Sequence, residues 1–182
     1  MKNRLSVIMV TKDAQELLAS SLMSVKKIAF EIILIDAGSR DNTTAVARQC
    51  NAKVYIARTN HLGHNKTLAL TKAKGNWILM LDSDELVSPA LQREICTSIR
   101  RKSVDGYVIR FKNHYLGKPL QYGGEQYQML RLFRKNIGAI KKVAVHENVI
   151  LKSDRIVVLK HPILHFSYRS LVQMYRKFTN YA

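Results

Sequence analysis

The sequence has few cysteines, few acidic residues and no long apolar run, and these shortages bound what the protein can be. Its two cysteines, Cys50 and Cys96, are too few and too isolated for a disulfide framework or a zinc site. Both fall in predicted helices, so we expect small buried residues of a reducing compartment. No apolar run approaches the roughly 18 residues of a membrane-spanning helix. The run behind the basic N-terminus is too short for a signal peptide.

The shortage of acidic residues leaves a strongly positive chain. Against 30 lysines and arginines there are 13 aspartates and glutamates, which gives a formal net charge of +17. Such a charge favours anionic partners, namely nucleic acid, an anionic membrane surface or phosphorylated small molecules, without choosing among them. With 182 residues and a hydrophobic fraction of 47%, the chain can bury one sizeable core and is not disordered.

Apolar runs and helical periodicities alternate through the first half of the chain. Strict alternation predicts an α/β fold, with a Rossmann-like, mostly parallel sheet, right-handed crossovers and helices on both faces. The predicted strands cover 5–10, 31–36, 53–57 and 77–81, and the predicted helices cover 14–27, 43–50, a segment from a loop at 59–65 to residue 73, and 89–102.

The pattern changes near residue 103. Strands predicted at 107–111, 128–133, 144–151 and 156–159 have few helices between them, which indicates a smaller, mixed or antiparallel lobe. Because there is no linker or repeat, we predict one domain over 1–182, with halves at 1–102 and 103–166. An amphipathic helix is predicted over 167–182. It either packs on its own domain or is completed by further chain or a partner.

The other predictions are organised around the stretch 75–85, G-N-W-I-L-M-L-D-S-D-E. Its apolar residues do not alternate, as in a strand buried on both faces, and they end at three carboxylates. In an extended segment Asp82 and Asp84 leave on the same side, where two carboxylates can hold a divalent cation. The alternative is a solvated loop that enters a helix, with Ser88 as N-cap and Pro89 as the first helical residue.

Two further strands end in polar residues. Thr11 closes the first strand and Asp36 the second. Because the carboxyl ends of parallel strands meet at one edge of the sheet, we expect these residues to gather with Asp82 and Asp84. Open α/β sheets bind their ligands at that edge.

Several pieces of the sequence, taken in order, resemble one family. They are S-V-I-M-V-T-K-D, I-L-I-D-A-G-S-R-D-N-T, the stretch from G-H-N-K-T-L through L-D-S-D-E, and the later R-L-F-R-K and V-H-E. Together they resemble family 2 glycosyltransferases of the GT-A fold, especially bacterial lipopolysaccharide-core glucosyltransferases. The resemblance covers residues 4–168. It implies that the first half binds a nucleotide sugar and that the second half faces the acceptor.

The resemblance also implies a reaction and its residues. The reaction is inverting transfer of a sugar from a nucleotide diphosphate sugar, UDP being the first choice, with Mg²⁺ or Mn²⁺ as cofactor. The implied residues are Asp36 for the base, Thr11 for the nucleoside, Lys66 for the base or diphosphate, Asp82 for the nucleotide and metal, Asp84 as the more direct metal ligand, and Glu147 as general base.

Four more residues have weaker signals, each with a structural alternative. His146 has a catalytic or metal role, or it is a packed strand residue on the face opposite Glu147. His64 contacts phosphate or is an exposed loop histidine. Arg131 reaches the donor or acceptor, or it lies on a solvated strand face. Glu125, beside two glycines, belongs to an acceptor-side loop and is the next candidate for the base.

The predicted partners are a nucleotide sugar donor and a saccharide or lipid-linked acceptor in lipopolysaccharide or other cell-envelope synthesis. We expect a cytoplasmic protein, peripheral on the inner face of a bacterial membrane through its positive charge, that binds no nucleic acid. A nucleotidyltransferase is the alternative enzyme, but it would carry a glycine-rich basic loop where this chain has T-K-D-A-Q-E. The non-enzyme alternative, a nucleic-acid-binding module, is supported by the positive charge alone. The sequence shows no zinc-ligand pattern and no aromatic RNA-binding signature.

Overall fold

A computed structural model describes residues 3–57, 59–120, 127–140 and 149–168. The predicted strand at 144–151 is therefore described only from Val149 onward. Of the predicted C-terminal helix, Ser167 and Tyr168 instead end the last strand, and the remainder lies outside the described residues.

Strands and helices alternate through the first half, as predicted. The helix ends differ from prediction: α1 and α4 are shorter than predicted, and α3 begins inside the predicted loop, where His61 caps it by accepting a hydrogen bond from the backbone N–H of His64. A short strand, β5, was not predicted. The elements are β1 Leu5–Thr11, α1 Gln15–Val25, β2 Glu31–Asp36, α2 Thr43–Gln49, β3 Lys53–Ile56, α3 Leu62–Lys72, β4 Trp77–Met80, β5 Glu85–Val87 and α4 Pro89–Ser98.

The described residues of the second half form strands and one 3-10 helix, Lys135–Ile137, which confirms the change of pattern near residue 103. The strands β7, β9 and β12 were not predicted, and β6 is longer than predicted. The strands are β6 Gly106–Tyr115, β7 Lys118–Pro119, β8 Gln128–Arg134, β9 Gly138–Ile140, β10 Val149–Leu151, β11 Ile156–Val158 and β12 Ile163–Tyr168.

Both halves contribute to one mixed sheet with the order β3-β2-β1-β4-β8-β6-β12-β5. The first four strands of this order are parallel, and β8 joins β4 in the antiparallel sense. After β4 the chain turns and places β5 at the far end of the sheet, antiparallel to β12. The fold is therefore of the predicted α/β class, with a smaller mixed lobe.

The core lies on both faces of this sheet. All six residues of β2 are buried, and Trp77 and Phe133 are fully enclosed, as predicted for strands covered on both sides. The cysteines differ from prediction: Cys50 and Cys96 are free but only half-buried, because they lie near the ends of helices. Within the described ranges, no helix is long and apolar enough to cross a membrane.

Candidate functional site

The polar residues at the carboxyl ends of the parallel strands lie together, as predicted. Thr11 and Asp36 are direct partners in the register of β1 and β2. The backbone N–H of Leu81 donates to the carbonyl of Ile8, so the chain leaving β4 follows the same edge. Asp82 comes immediately after this contact. Thr11, Asp36 and Asp82 therefore mark one edge of the sheet.

The segment from Asp82 to Glu85 is a turn, which corrects the extended geometry expected from the sequence. The backbone N–H of Glu85 donates to the carbonyl of Asp82 at 3.1 Å. In return, the Glu85 carboxylate accepts from the backbone N–H of Asp82 at 2.8 Å. This reciprocal pair closes the turn, so Asp82 and Asp84 contact different partners. Beyond it, Ser88 caps α4 and Pro89 begins it, as the alternative interpretation predicted.

Two buried cations surround the Asp82 carboxylate. Lys66 Nζ lies 3.3 Å from Asp82 Oδ1, and an Arg131 guanidinium nitrogen lies 3.0 Å from Asp82 Oδ2. The same Arg131 nitrogen lies 2.9 Å from Glu85 Oε1. Arg131 is 5% exposed and Glu85 only 1%. Arg131 thus lies in a buried ion-pair cluster because two carboxylates receive it there, and the alternative of a solvated strand face is wrong.

The cluster separates the protonation behaviour of its two carboxylates. Burial raises the pKa of Asp82, but the charges of Lys66 and Arg131 outweigh this effect and hold it well below its usual range. Burial raises the pKa of Glu85 to about 7, although the charge of Arg131 opposes the rise. Asp82 is therefore a permanent anion held by two cations, whereas Glu85 is the less acidic partner.

An open cavity of about 610 Å³ lies beside Asp36. The Asp36 carboxylate accepts from the backbone N–H groups of Gly38 at 3.1 Å and Ser39 at 2.9 Å, and also from the Ser39 hydroxyl. Gly38 makes this turn at φ 89°, a conformation that side chains rarely adopt. The cavity is lined by Asp36, Ala37, Gly38, Ser39, Arg40, Thr44, Ile56, Thr59 and Asn60.

A smaller cavity, of about 210 Å³, adjoins the ion-pair cluster, and both Lys66 and Arg131 line it together with Met80 and Gln128. Near these cavities, three buried polar atoms have no hydrogen-bond partner within the described part of the chain: Thr11 Oγ1, Asn65 Oδ1 and Arg131 Nε. Buried polar atoms are rarely left unpaired unless a ligand, an ion or water completes them. These atoms therefore leave hydrogen-bonding capacity at this edge of the sheet, for water, an ion or a ligand.

Asp84 faces a residue that the sequence analysis missed. Its Oδ2 lies 3.6 Å from Nε2 of His165, and its carbonyl accepts from the backbone N–H of Phe166 at 2.9 Å. Burial lowers the pKa of His165, but the carboxylates of Asp84, Glu85 and Asp82, with Asp84 the largest contributor, together outweigh burial and raise it above its ordinary value. Among the described residues, no three His, Cys, Asp or Glu side chains gather into a metal site. A cation held by Asp84 and His165 would need further ligands from a substrate.

The outcome for the remaining predicted residues is mixed. His64 is exposed, as its structural alternative predicted, but it lies in the first turn of α3 rather than in a loop. Glu147, His146 and Glu125 lie outside the described residues, so their roles stay predictions. The sequence analysis did not identify His165, because its strand was not predicted.

Comparison with known proteins gives one family. The sequence model described as "Glycosyl transferase family 2" matches residues 6–162. An uncharacterized glycosyltransferase of Rickettsia felis is 27% identical over 98% of this chain and 68% of its own length.

Solved structures share the fold at lower identity. Staphylococcus aureus TarS 1-349 in complex with UDP-GlcNAc superimposes with a TM-score of 0.67 at 18% identity, over 92% of this chain and 59% of the TarS chain. Glucosyl-3-phosphoglycerate synthase from Mycobacterium tuberculosis, in complex with Mn²⁺, UDP and glucosyl-3-phosphoglycerate, gives 0.52 at 16% identity, over 74% and 58% of the two chains. At these identities the likeness shows the fold alone.

Proposed function

This chain belongs to glycosyl transferase family 2, and on that premise we propose that it transfers a sugar from a UDP-sugar to a hydroxyl group. The acceptor that we propose is a saccharide or glycolipid of lipopolysaccharide or another cell-envelope glycan. Structural neighbours with the same fold carry UDP, or UDP-GlcNAc, in their complexes, which supports the choice of nucleotide. The net charge of +17 suits an anionic donor.

The observation that carries the proposal is that the cavity beside Asp36 and the turn that bears Asp82 and Asp84 lie at the same edge of the sheet. A carboxylate has about four acceptor positions, and Asp36 uses three of them on its own loop. It can therefore still accept an N–H group of a nucleotide base. The unpaired hydroxyl of Thr11 lies at the same edge and supplies a contact for the nucleoside.

The residues around Asp84 fit a divalent cation. Atoms 3.6 Å apart, as Asp84 Oδ2 and His165 Nε2 are, can both lie about 2.1 Å from one ion. Two protein ligands leave coordination positions for phosphate oxygens, which is the usual arrangement when Mg²⁺ binds a nucleotide. When bound, the cation would neutralise charge on the departing diphosphate. We propose Asp84 and His165 as its direct ligands.

Asp82 has a different role in this proposal. Because Lys66 and Arg131 already neutralise it, Asp82 holds two cations beside the diphosphate rather than serving as the main metal ligand. These cations add to the stabilisation of the leaving group. Glu147 keeps its predicted role as the general base, which takes the proton of the attacking acceptor hydroxyl.

Calorimetry with UDP, GDP, ADP and CMP, each with Mn²⁺ and again with EDTA, tests the proposal. We expect UDP to bind most tightly and to lose affinity in EDTA. Equal affinity with and without metal would remove the cation from the proposal. A preference for duplex DNA over every nucleotide would contradict the function itself and favour a nucleic-acid-binding module.

A further inference from the structure

We propose that Asn113 is a positioning residue, whose side-chain oxygen holds the proton of His165 on Nδ1 and so leaves the Nε2 lone pair free for a divalent cation. The inference rests on the proposed function, because it concerns the cation that Asp84 and His165 would share. Asn113 acts through the imidazole ring of His165, which faces Asp84 with its other nitrogen.

The sheet register places these residues in one row. His165 on β12 is the direct partner of Asn113 on β6, and on its other side it is the partner of Glu85 on β5. Partners in register project from the same face of a sheet. The Asn113 side chain is 4% exposed, and the two neighbouring strands fix the ring between Asn113 and the Asp84 turn.

The hydrogen bond between Asn113 and His165 selects one tautomer. Asn113 Oδ1 lies 2.9 Å from His165 Nδ1, and an amide oxygen can only accept. With the amide oxygen of Asn113 facing the ring, a neutral imidazole carries its proton on Nδ1. The hydroxyls of Tyr127 and Ser167 also lie 3.0 Å from Nδ1, and the Ser167 oxygen lies 3.3 Å from Nε2. A hydroxyl can donate or accept and so suits either tautomer. Asn113 makes the choice.

The consequence appears at the other nitrogen of the ring. With the proton held on Nδ1 by Asn113, Nε2 presents a lone pair on the side of the Asp84 carboxylate, 3.6 Å away. A divalent cation between the two atoms would be bound by both. A histidine whose second nitrogen is held by an oxygen acceptor is the usual form of a metal-binding histidine, and losing that acceptor typically weakens metal binding by roughly 10- to 100-fold.

The first test compares Mn²⁺ affinity in the presence of UDP for three variants of the full chain. Asn113→Leu keeps the volume and removes the acceptor, and we expect its Mn²⁺ affinity to fall by about tenfold or more. Asn113→Asp keeps an oxygen acceptor and should retain the parent affinity or exceed it. Tyr127→Phe removes a hydroxyl that does not select the tautomer, so it should bind Mn²⁺ like the parent. UDP binding in EDTA, measured for each variant, shows whether the nucleotide site is intact.

The second test reads the tautomer directly, without activity or metal. Nitrogen-15 NMR of the metal-free protein, above the pH at which His165 titrates, should show His165 with a protonated Nδ1 and an unprotonated Nε2. Asn113→Leu should show a mixture of tautomers. A parent ring protonated on Nε2, or an Asn113→Leu variant with unchanged Mn²⁺ affinity, would overturn the positioning role alone. If the parent protein bound no Mn²⁺ at all, the metal part of the proposed function would fall with it.

Discussion

Buried polar groups are hydrogen-bonded at the amino ends of the parallel strands, whereas several lack a partner at the carboxyl ends. At the amino end, the carboxylate of Glu31 is 7% exposed and its oxygens are well paired. It accepts from the Ser6 hydroxyl at 2.7 Å, from the backbone N–H of Lys74 at 2.5 Å and from Lys53 Nζ at 2.7 Å. The Ser6 oxygen in turn accepts from the backbone N–H of Gly75 at 2.8 Å, so the network ties the starts of β1, β2, β3 and β4 together.

At the carboxyl end, the described residues leave Thr11 Oγ1, Asn65 Oδ1 and Arg131 Nε unpaired although they are buried. Leaving such an atom unpaired costs about 1–3 kcal/mol. Trp77 Nε1, in the core nearer the amino end, is also unpaired, and the bulk of its apolar ring accounts for its burial. The difference indicates that the amino end holds the sheet together, whereas the carboxyl end is built to be completed by a ligand.

Asp84→Asn should have the largest effect and should separate the two ends most clearly. The substitution keeps the shape of the side chain and removes the charge that would hold the cation. We expect sugar transfer to fall by about 100-fold or more, because a metal supplies several kcal/mol of transition-state stabilisation. The melting temperature should stay close to that of the parent. A fall in melting temperature with little loss of transfer would show that Asp84 is a structural residue.

Glu31→Ala should have the opposite signature. It leaves the Ser6 hydroxyl and the Lys74 N–H without their acceptor, but Lys53 is half-exposed, so its ion pair contributes little. We expect a loss of about 2–3 kcal/mol, or roughly 5–10 °C in melting temperature for a chain of this size. UDP affinity, measured below the new melting transition, should not change. If it did, the two ends would not be independent.

The sequence predicted the features that depend on local patterns. Asp36 and Asp82 were identified because each follows a buried apolar strand, and the family suggested by the motifs is confirmed. The closer likeness to lipopolysaccharide-core glucosyltransferases stays a prediction. Glu85 and His165 could not be assigned, because their positions depend on the pairing of β5 with β12, strands that are short and nearly 80 residues apart. Arg131 was found, but its burial required the same long-range contact with Glu85.

The pH dependence of stability sharpens the comparison at the amino end. Burial raises the pKa of Glu31, but its hydrogen bonds to Lys53, Lys74 and Ser6 outweigh burial and bring it below the ordinary value of 4.5. A carboxylate with a lowered pKa stabilises the fold above its unfolded pKa, and this stability is lost as the pH falls through the folded value. The free energies of unfolding in urea of the parent and of Glu31→Gln should therefore differ by a constant amount between pH 5 and pH 7. Below about pH 4.5 the difference should shrink. A difference that grew on acidification would mean that Glu31 is protonated in the folded protein.

The smallest effect concerns the unpaired hydroxyl of Thr11. It compares one hydroxyl at the carboxyl end of the parallel strands with one at the amino end. Thr11→Val replaces the hydroxyl with a methyl group of nearly the same size. Because Thr11 Oγ1 is buried without a partner among the described residues, the substitution should leave the free energy of unfolding unchanged or raise it by up to about 1 kcal/mol. If the hydroxyl contacts the nucleoside, UDP affinity should fall by roughly 3- to 10-fold, the value of one hydrogen bond.

Ser6→Ala is the matched control at the amino end, where the hydroxyl donates to Glu31 and accepts from Gly75. It should lower stability by about 1–2 kcal/mol and leave UDP affinity unchanged. If Thr11→Val destabilised the protein as much as Ser6→Ala and did not weaken UDP binding, the Thr11 hydroxyl would have a structural role only. It would then no longer support a nucleotide site at the carboxyl end of the strands.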